Sequence, residues 1–495
     1  MPDQPVLTSA QIRVVESLGH DLMQRAGRSV ARLAMRLAQD TGGPIVVVAG
    51  PGNNGGDAWV AASELLGTFN RVVVFDVTGT APRAAAALTA REAFVAAGGV
   101  ITREWPSVQR PALVIDGLLG IGLARPIEAP LEGAIASING SGSPVLAIDV
   151  PSGLDADTGA IRGYAVHATA TLTFLAHKPG LLTASGPELC GTIECDDLGL
   201  GHAAREKARG TVLDVETVRG WLAPRPRNSH KGAYGTVGVI GGTRGMVGAA
   251  LLAARAALLS GAGKVQVGLL APDALAVDPL HPELMLRPVD DVVHADVVVA
   301  GPGAGRSPSA TTASLFERSV LPALLAGART LVLDADGLNA IAFSQGLREA
   351  LANRRGSTIL TPHPAEAARL LGVQTADVQA DRLAAALALA ERCKAHVVLK
   401  GQGSVCASPD GAWSINRTGN PGLASGGTGD VLAGMIGAFV AQGLEPARAL
   451  RFAVCLHGAA ADALVARGTG PLGLTASEVA LEARRLANAW AGPVQ

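Results

Sequence analysis

Aromatic side chains are scarce in this 495-residue sequence, with 2 tyrosines, 5 tryptophans and 8 phenylalanines. Net charge is almost absent, because 41 lysines and arginines stand against 42 aspartates and glutamates. No bulk field therefore draws the chain to nucleic acid or to an anionic membrane, and neither partner is expected. Cysteine is rare as well. Cys190, Cys195, Cys393, Cys406 and Cys455 show no metal-ligand spacing, and their odd number fits no full disulfide framework. A reducing compartment is the simpler reading. No uninterrupted apolar run reaches the ~20 residues that a bilayer requires. The N-terminal stretch MPDQPVLTSAQIRVVE lacks the basic start and apolar core of a signal peptide. A cytoplasmic protein is expected.

What is abundant is small and apolar: 48% of residues are hydrophobic and 62 are glycine. With few aromatics and modest charge, this is the composition of buried parallel strands covered by helices. The chain is too long for one ordinary core, so two or three domains are expected. IVVVAG (45–50), RVVVFDV (71–77), ALVIDGLLG (112–120), PVLAIDV (144–150) and ATLTFL (170–175) read as strands. Between them lie stretches such as AWVAASELLG, with apolar residues at helical spacing. The alternation predicts a parallel sheet with right-handed crossovers and ligands at the carboxyl ends of its strands. Over 199–228 charge becomes denser and a Pro-Arg-Pro turn appears, which places a boundary near 210–225. From 236 the rhythm restarts with TVGVIGG, KVQVGLL, ADVVVAGPG, TLVLDAD, STILTPH and HVVLKGQG, each read as a strand followed by a helix.

The stretch GPGNNGGDA poses the first functional question. Gly50, Gly52 and Gly55 match the spacing of a dinucleotide-binding turn, and Asp76 ends the next strand where a ribose-binding carboxylate would stand. An NAD-dependent oxidoreductase fits poorly, since no hydride-acceptor site or second half of the fingerprint is visible. Asn53, Asn54 and Asp57 offer oxygens suited to hydroxyl recognition or a hard cation, which a pyrophosphate turn does not need. The plainer alternative is Asp57 as a helix cap. Asp116 leads into a second glycine-rich loop, and Asp149 is followed by Pro151, Ser152 and Gly153. Singly, each aspartate reads as a cap or turn residue. Three polar clusters at the ends of three strands favour one shared pocket.

The second half carries NSHKG (228–232), GPGAG (301–305), DADGLN (334–339), TPHPAEAARL (361–370), LKGQGS (399–404) and GNPGLASGGTGDVLAGMIGAF (419–439). Gly426-Gly427-Thr428-Gly429-Asp430 is the sharpest of these. Glycines at a helix start expose amides that can stabilise charge on a transferring phosphoryl group, and an adjacent carboxylate can deprotonate an attacking hydroxyl. For an isolated GTGD, a helix cap and a base are equally good readings; LKGQGS upstream, as a second phosphate loop, favours the base. A Walker-type motif is absent from the sequence. His363 sits between Pro362 and Pro364 at a strand end, where a binding role competes with a structural one. Lys231 could neutralise phosphate or be solvated, and the DAD carboxylates could hold magnesium through water.

Taken together, GPGNNGGD, DGLLGIG, DVPSGLDADTG and the upstream LMQRAG resemble the epimerase domain of the NAD(P)H-hydrate repair family. From about Asn228 to near Ala480 the motif series resembles that family's ADP-dependent dehydratase, of ribokinase-like fold. The resemblance implies two α/β domains: a Rossmann-like α/β/α sandwich over 1–213 and a ribokinase-like domain over 214–495. It implies epimerisation of R and S NADHX and NADPHX, then dehydration of the S form with ADP, giving AMP and phosphate. Asn53, Asn54, Gly55, Gly56, Asp57, Gly120, Ile121, Gly122, Leu123, Ala124, Arg125, Pro126 and Asp149 would contact the hydrated dinucleotide in the first domain. Asn54, Asp116 and Ser152 would ligate a potassium ion. In the second, Ala249, Gly303, His363 and Asp430 would contact the hydrate, with Asp430 as base. Lys400, Gly401, Gln402, Gly403, Ser404 and Gly429 would hold the nucleotide, with magnesium accompanying ADP. Asp149 is the candidate acid/base of the epimerase, with a hydroxyl-binding role as its alternative. Ala58 and Ile121 stand where glycine and threonine are usual in the family, and Ser404 where threonine is frequent. A homo-oligomer is expected. The competing reading is a small-molecule, vitamin-precursor kinase with a non-catalytic N-terminal binding domain.

Overall fold

The computed structural model describes residues 4–38, 42–68, 71–82, 84–107, 110–123, 125–305 and 314–491. The chain divides into two compact units, Gln4–Thr211 and Val212 onward. The change of unit falls inside a strand, at the start of the stretch where charge density and the proline turn place a boundary.

In the first unit β1 is Pro5–Val6, β2 Ile45–Ala49, β3 Val72–Asp76, β4 Val100–Thr102, β5 Leu113–Gly117, β6 Val145–Ile148, β7 Ala170–Phe174 and β8 Thr192–Asp196, and the strand that holds the change of unit is β9, Gly210–Leu213. Seven of these form one sheet in the order β4-β3-β2-β5-β6-β7-β8, parallel throughout. The reversal of order between β2 and β5 opens the crevice where ligands gather in such sheets. The central strands are buried on both faces, which is why they read as unbroken apolar runs rather than alternating ones. Helices Leu22–Leu37 and Asn53–Leu66 pack closely over one face, where Gly27 leaves room for Val60. Trp59 and Phe94 meet edge to face in that layer.

The second unit holds β10 Thr236–Gly241, β11 Lys264–Leu269, β12 Met285–Leu286, β13 Val297–Ala300, β14 Thr330–Leu333, β15 Thr358–Leu360, β16 His396–Leu399, β17 Val405–Ala407 and β18 Trp413–Asn416. Their order is β18-β17-β16-β15-β14-β13-β10-β11-β12. The pairs from β16 to β12 are parallel; β16-β17 and β17-β18 are antiparallel. This corrects the expectation for HVVLKGQG, which leads into a strand and not into a helix. The short runs VCA and WSIN carry too few residues for their period to declare itself. Helices Val247–Leu259 and Thr428–Ala441 cross at Gly434, where any side chain would collide with the Ala253 carbonyl. Helix Pro446–Ala466 is long and apolar enough to cross a membrane by length and composition, and it is mostly buried in this unit's core, with Phe452 against Phe439.

Candidate active sites

The first unit contains a cavity of about 530 Å³ at the carboxyl ends of β2, β5, β6 and β7. Asn53, Asn54, Asp57, Gly120, Ile121, Gly122, Leu123 and Asp149 line it, as the motifs require. Arg125 and Pro126 are exposed on the outer part of the loop and do not line it, and Ala124 lies outside the described residues. Gly55 and Gly56 are buried behind the lining. A side chain on Gly55 would collide with the Gly50 carbonyl, and one on Gly50 with the Leu118 carbonyl. The fingerprint spacing therefore answers to backbone packing. Asp76, the ribose-binding candidate of that fingerprint, accepts the Gly79 amide at 3.0 Å in a turn and is buried outside the cavity lining. Helix Asn53–Leu66 starts at Gly52 with no side-chain cap, so Asp57 is not its cap.

Asn54, Asp116 and Ser152 come together around the Leu119 backbone. Asn54 Nδ2 donates to the Leu119 carbonyl at 2.8 Å, and the Leu119 amide donates to Ser152 Oγ at 2.8 Å. Ser152 donates from Oγ to Asp116 Oδ1 at 2.6 Å and from its amide to Oδ2 at 2.8 Å. Asp116 is fully buried; burial pushes its carboxyl up, against the lowering effect of the Ser152 and Leu118 donors. A buried carboxylate among carbonyl and hydroxyl oxygens is a donor set suited to a hard monovalent or divalent cation.

Asp149 directly follows β6 in the left-handed region, with φ 64°, and Leu175 directly follows neighbouring β7 with φ 66°. Both are non-glycine residues lining the cavity, a form of strain that accumulates at functional sites. Asp57 is pushed well above the ordinary aspartate value by burial, then by the charges of Asp149 and Glu16. Glu16 is raised in the same way, by burial and then by Asp149. Glu16 and Lys178 line the cavity and were not found by motif reading. Lys178 forms a buried ion pair with Asp149, and only its place in HKPG, shortly after a strand, hinted at it.

In the second unit Ala249 lies in the first turn of helix Val247–Leu259 and meets Gly303, whose φ is 57°. A Cβ at Gly303 would stand 3.1 Å from that of Ala249 and 2.6 Å from the Met246 carbonyl oxygen, so only glycine fits there. Lys400 ends β16, and its ammonium lies 3.1 Å from Asp334 Oδ1, which also accepts from Thr361 Oγ1 at 2.7 Å. Burial works against the Lys400 charge, but Asp334, Glu366 and Asp430 outweigh it and raise its pKa. Asp336 accepts the Gly305 amide at 2.9 Å, and among the described residues no group of three or more acidic, histidine or cysteine side chains could hold a metal.

Gly427, φ 89°, begins helix Thr428–Ala441 without any side-chain cap. A Cβ on Gly429 would sit 3.2 Å from Lys400 Nζ and 3.9 Å from Asp334 Oδ2, so the GTGD turn and the lysine–aspartate pair meet. Asp430 is pushed up to about 7, first by burial and then by Asp334, with Lys400 opposing. Its carboxyl therefore exchanges its proton near neutrality, the range in which a general base works best. Gly401 and Ser404 close the LKGQGS turn on itself: Ser404 Oγ accepts the Gly401 amide at 3.3 Å and donates to its carbonyl at 3.1 Å. Gln402 and Gly403 form the tip between them. Arg382, buried beneath this turn, donates to the carbonyls of Leu399 and Lys400 at 3.3 Å. No motif pointed to Arg382.

His363 caps helix Pro364–Leu371, its Nδ1 accepting the amides of Ala365 and Glu366 at 3.1 and 3.4 Å. Burial, then Lys400 and Arg369, hold the ring below the ordinary histidine value, so it stays neutral at pH 7. Its ring is half-exposed, and its Nε2 lies 3.3 Å from Glu366 Oε1. Lys231 is exposed to solvent.

Comparison with known proteins covers both units. The family described as NAD(P)H-hydrate dehydratase matches residues 237–482, and the YjeF-related protein N-terminus family matches residues 19–180. A bifunctional NAD(P)H-hydrate repair enzyme Nnr of Escherichia coli is 36% identical over 479 residues, covering 95% of this chain and 90% of that protein. The protein of the same description from Coxiella burnetii is 38% identical over 500 residues, covering 97% and 98%. A solved ADP/ATP-dependent NAD(P)H-hydrate dehydratase from Bacillus subtilis, co-crystallised with ATP and Mg2+, is 32% identical. It covers 56% of this chain and 96% of its own, with a TM-score of 0.47.

Proposed function

Since the chain belongs to the family of bifunctional NAD(P)H-hydrate repair enzymes, we propose that it rescues hydrated NADH and NADPH in two steps. Residues 1–213 interconvert the R and S epimers, and residues 214–495 dehydrate the S epimer at the expense of ADP. Hydration yields both epimers and the dehydratase consumes one, so an epimerase on the same chain gives access to the whole pool.

In the epimerase the reacting carbon carries a hydroxyl beside the ring nitrogen. Asp149 takes the hydroxyl proton, the carbon–nitrogen electron pair moves to nitrogen, and an aldehyde forms. Asp57, whose carboxyl is pushed well above the ordinary aspartate value by burial and then by the charges of Asp149 and Glu16, supplies the nitrogen with its proton. Rotation of the aldehyde and the reverse transfers close the ring with the opposite configuration. Asn54, Asp116, Ser152 and the Leu119 carbonyl fit a potassium ion by their all-oxygen donor set and the buried carboxylate. When bound, the ion would neutralise Asp116 and fix substrate oxygens.

In the dehydratase Asp430 removes the hydroxyl proton of the S epimer as that oxygen attacks the terminal phosphoryl group of the nucleotide. AMP departs; phosphate then leaves with the carbon–oxygen electron pair while the adjacent ring carbon gives up a proton to water, which restores the ring double bond of NADH or NADPH. Lys400, the LKGQGS turn and the uncapped helix at Gly427 carry the compensating positive charge. Magnesium would come with the nucleotide and spread the charge of its phosphates, and Asp334 and Asp336 could hold it through water.

The observation that carries this reading is Asp430: a carboxyl pushed to about 7, at an uncapped helix start, close to the Lys400–Asp334 ion pair. The test is recovery of absorbance at 340 nm from mixed epimers with ADP or ATP, in the wild type and in Asp430→Asn. A stable phosphorylated product would identify a small-molecule kinase, and equal recovery by the variant would remove the proposed base.

A further inference from the structure

The carboxylate of Asp149 is held on one side only. Its Oδ1 receives the Lys178 ammonium, the Thr173 hydroxyl at 3.2 Å and the Phe174 amide at 3.2 Å. Its Oδ2 has no hydrogen-bond partner among the described residues, although Asp149 lines the cavity. Lys178 is equally committed. Its three N–H donors go to Asp149 Oδ1, to Thr173 Oγ1 at 2.8 Å and to the Phe174 carbonyl at 2.8 Å, and the residue is 0% exposed. An ammonium has three donors and no acceptor, so none remains for a substrate. The aspartate that Lys178 grips has a strained backbone, and a shared clamp from β7 over-determines its place.

Taking the first unit as an epimerase, we propose that Lys178 is the positioning residue of its site, clamping Oδ1 of Asp149 so that Oδ2 alone faces the substrate hydroxyl. Lys178 does not exchange a proton with substrate. It fixes which oxygen is presented and keeps a negative charge tolerable in a half-closed cavity. Glu16 and Asp57, the other carboxyl groups lining that cavity, have no lysine or arginine salt bridge among the described residues. The clamp thus singles out one carboxylate of three.

The experiment measures R-to-S conversion by full-length Lys178→Met, Lys178→Arg, Asp149→Asn and the double variant Asp149→Asn/Lys178→Met. For a residue acting through Asp149, Lys178→Met lowers kcat about 100-fold while KM changes less than about three-fold. The double variant is then no slower than Asp149→Asn alone, because the clamp has lost what it holds. Lys178→Arg keeps the charge but not the three-point fit, and falls between Lys178→Met and the wild type. Additive losses in the double variant, or a full kcat in Lys178→Met, overturn the proposal. If Lys178→Met does not fold, Thr173→Val removes one Oδ1 donor, and its expected effect is a five- to ten-fold loss in kcat at constant KM; an unchanged kcat there overturns the proposal too. A wild type that leaves the epimers unconverted removes the epimerase reading and this inference with it, whereas an active wild type with an indifferent Lys178 removes only the inference.

Discussion

Each unit builds its site around a lysine–aspartate pair, buried in the first unit and partly exposed at the lysine in the second, and the two pairs are put to different use. In the first unit Lys178 holds Asp149, the proposed proton acceptor itself. In the second, Lys400 holds Asp334, while the proposed base Asp430 has no ion-pair partner among the described residues. The difference sets opposite signs for what each carboxylate does to the fold. Asp149 neutralises a lysine that is otherwise stranded in the interior, so it stabilises. Asp430 is partly buried, and desolvation, then the charges of Asp334, Asp336 and Glu366, disfavour its ionised form, so that charge destabilises. A base that must give up and retake a proton at neutral pH benefits from that repulsion, whereas one that must be held in a fixed orientation benefits from a clamp.

The largest expected effect separates the two sites outright. Asp430→Asn should lower dehydration of the S epimer by about 10³-fold, leaving R-to-S interconversion intact, as followed at 340 nm and by chromatographic separation of the epimers. Loss of both activities would break the picture of two independent sites. Next comes stability, where the two substitutions should have opposite signs. At pH 8, Asp149→Asn should destabilise its unit by about 3 kcal/mol by orphaning Lys178. Asp430→Asn should stabilise its unit by about 1–2 kcal/mol, because it removes a repelled charge. Denaturant titration reads both, and equal signs would refute the contrast. The gain from Asp430→Asn is itself pH-dependent. The folded carboxyl holds its proton up to about 7, above the ordinary 3.8, so its destabilisation develops as pH rises through that window and is absent below it.

The same carboxyl should set the acid limb of the dehydratase pH–kcat/KM profile near pH 7, with activity falling as Asp430 takes up a proton. Asp336→Asn removes one repelling charge and should move that limb to lower pH by about half a unit; a limb that stays in place would assign it to another group. The smallest effect belongs to the turn around Gly401. Ser404→Ala deletes the hydroxyl that closes it, which should cost about 1 kcal/mol in nucleotide binding. That corresponds to a roughly five-fold rise in KM for ADP at constant kcat.

Much of this architecture is legible along the chain. The central strands of both sheets stand out because they are buried on two faces and written mostly in Val, Ile, Leu and Ala. The polar loops are equally visible, since they follow those strands directly, and they supply the polar part of the lining from Asn53, Asn54, Asp57 and Asp149. The antiparallel strands β17 and β18 were not visible, being three and four residues long with no helical or alternating period of their own. His363 stands at the strand end where it was expected, but half of its ring is engaged in capping a helix, which the flanking prolines did not reveal.

The residues that escaped are those whose meaning depends on a partner far along the chain. Lys178 is 29 positions from Asp149, Lys400 is 66 from Asp334, and Arg382 lies under a turn that begins 17 residues later. Local pattern determined, by itself, where strands end, where glycines admit close backbone approach, and which aspartates stand at the mouths of the two sheets. Only the tertiary structure decided which of those aspartates is clamped and which is left unpaired. The reason is that an ion pair is a matter of a few ångströms in space and of burial, and neither is set by neighbours in sequence.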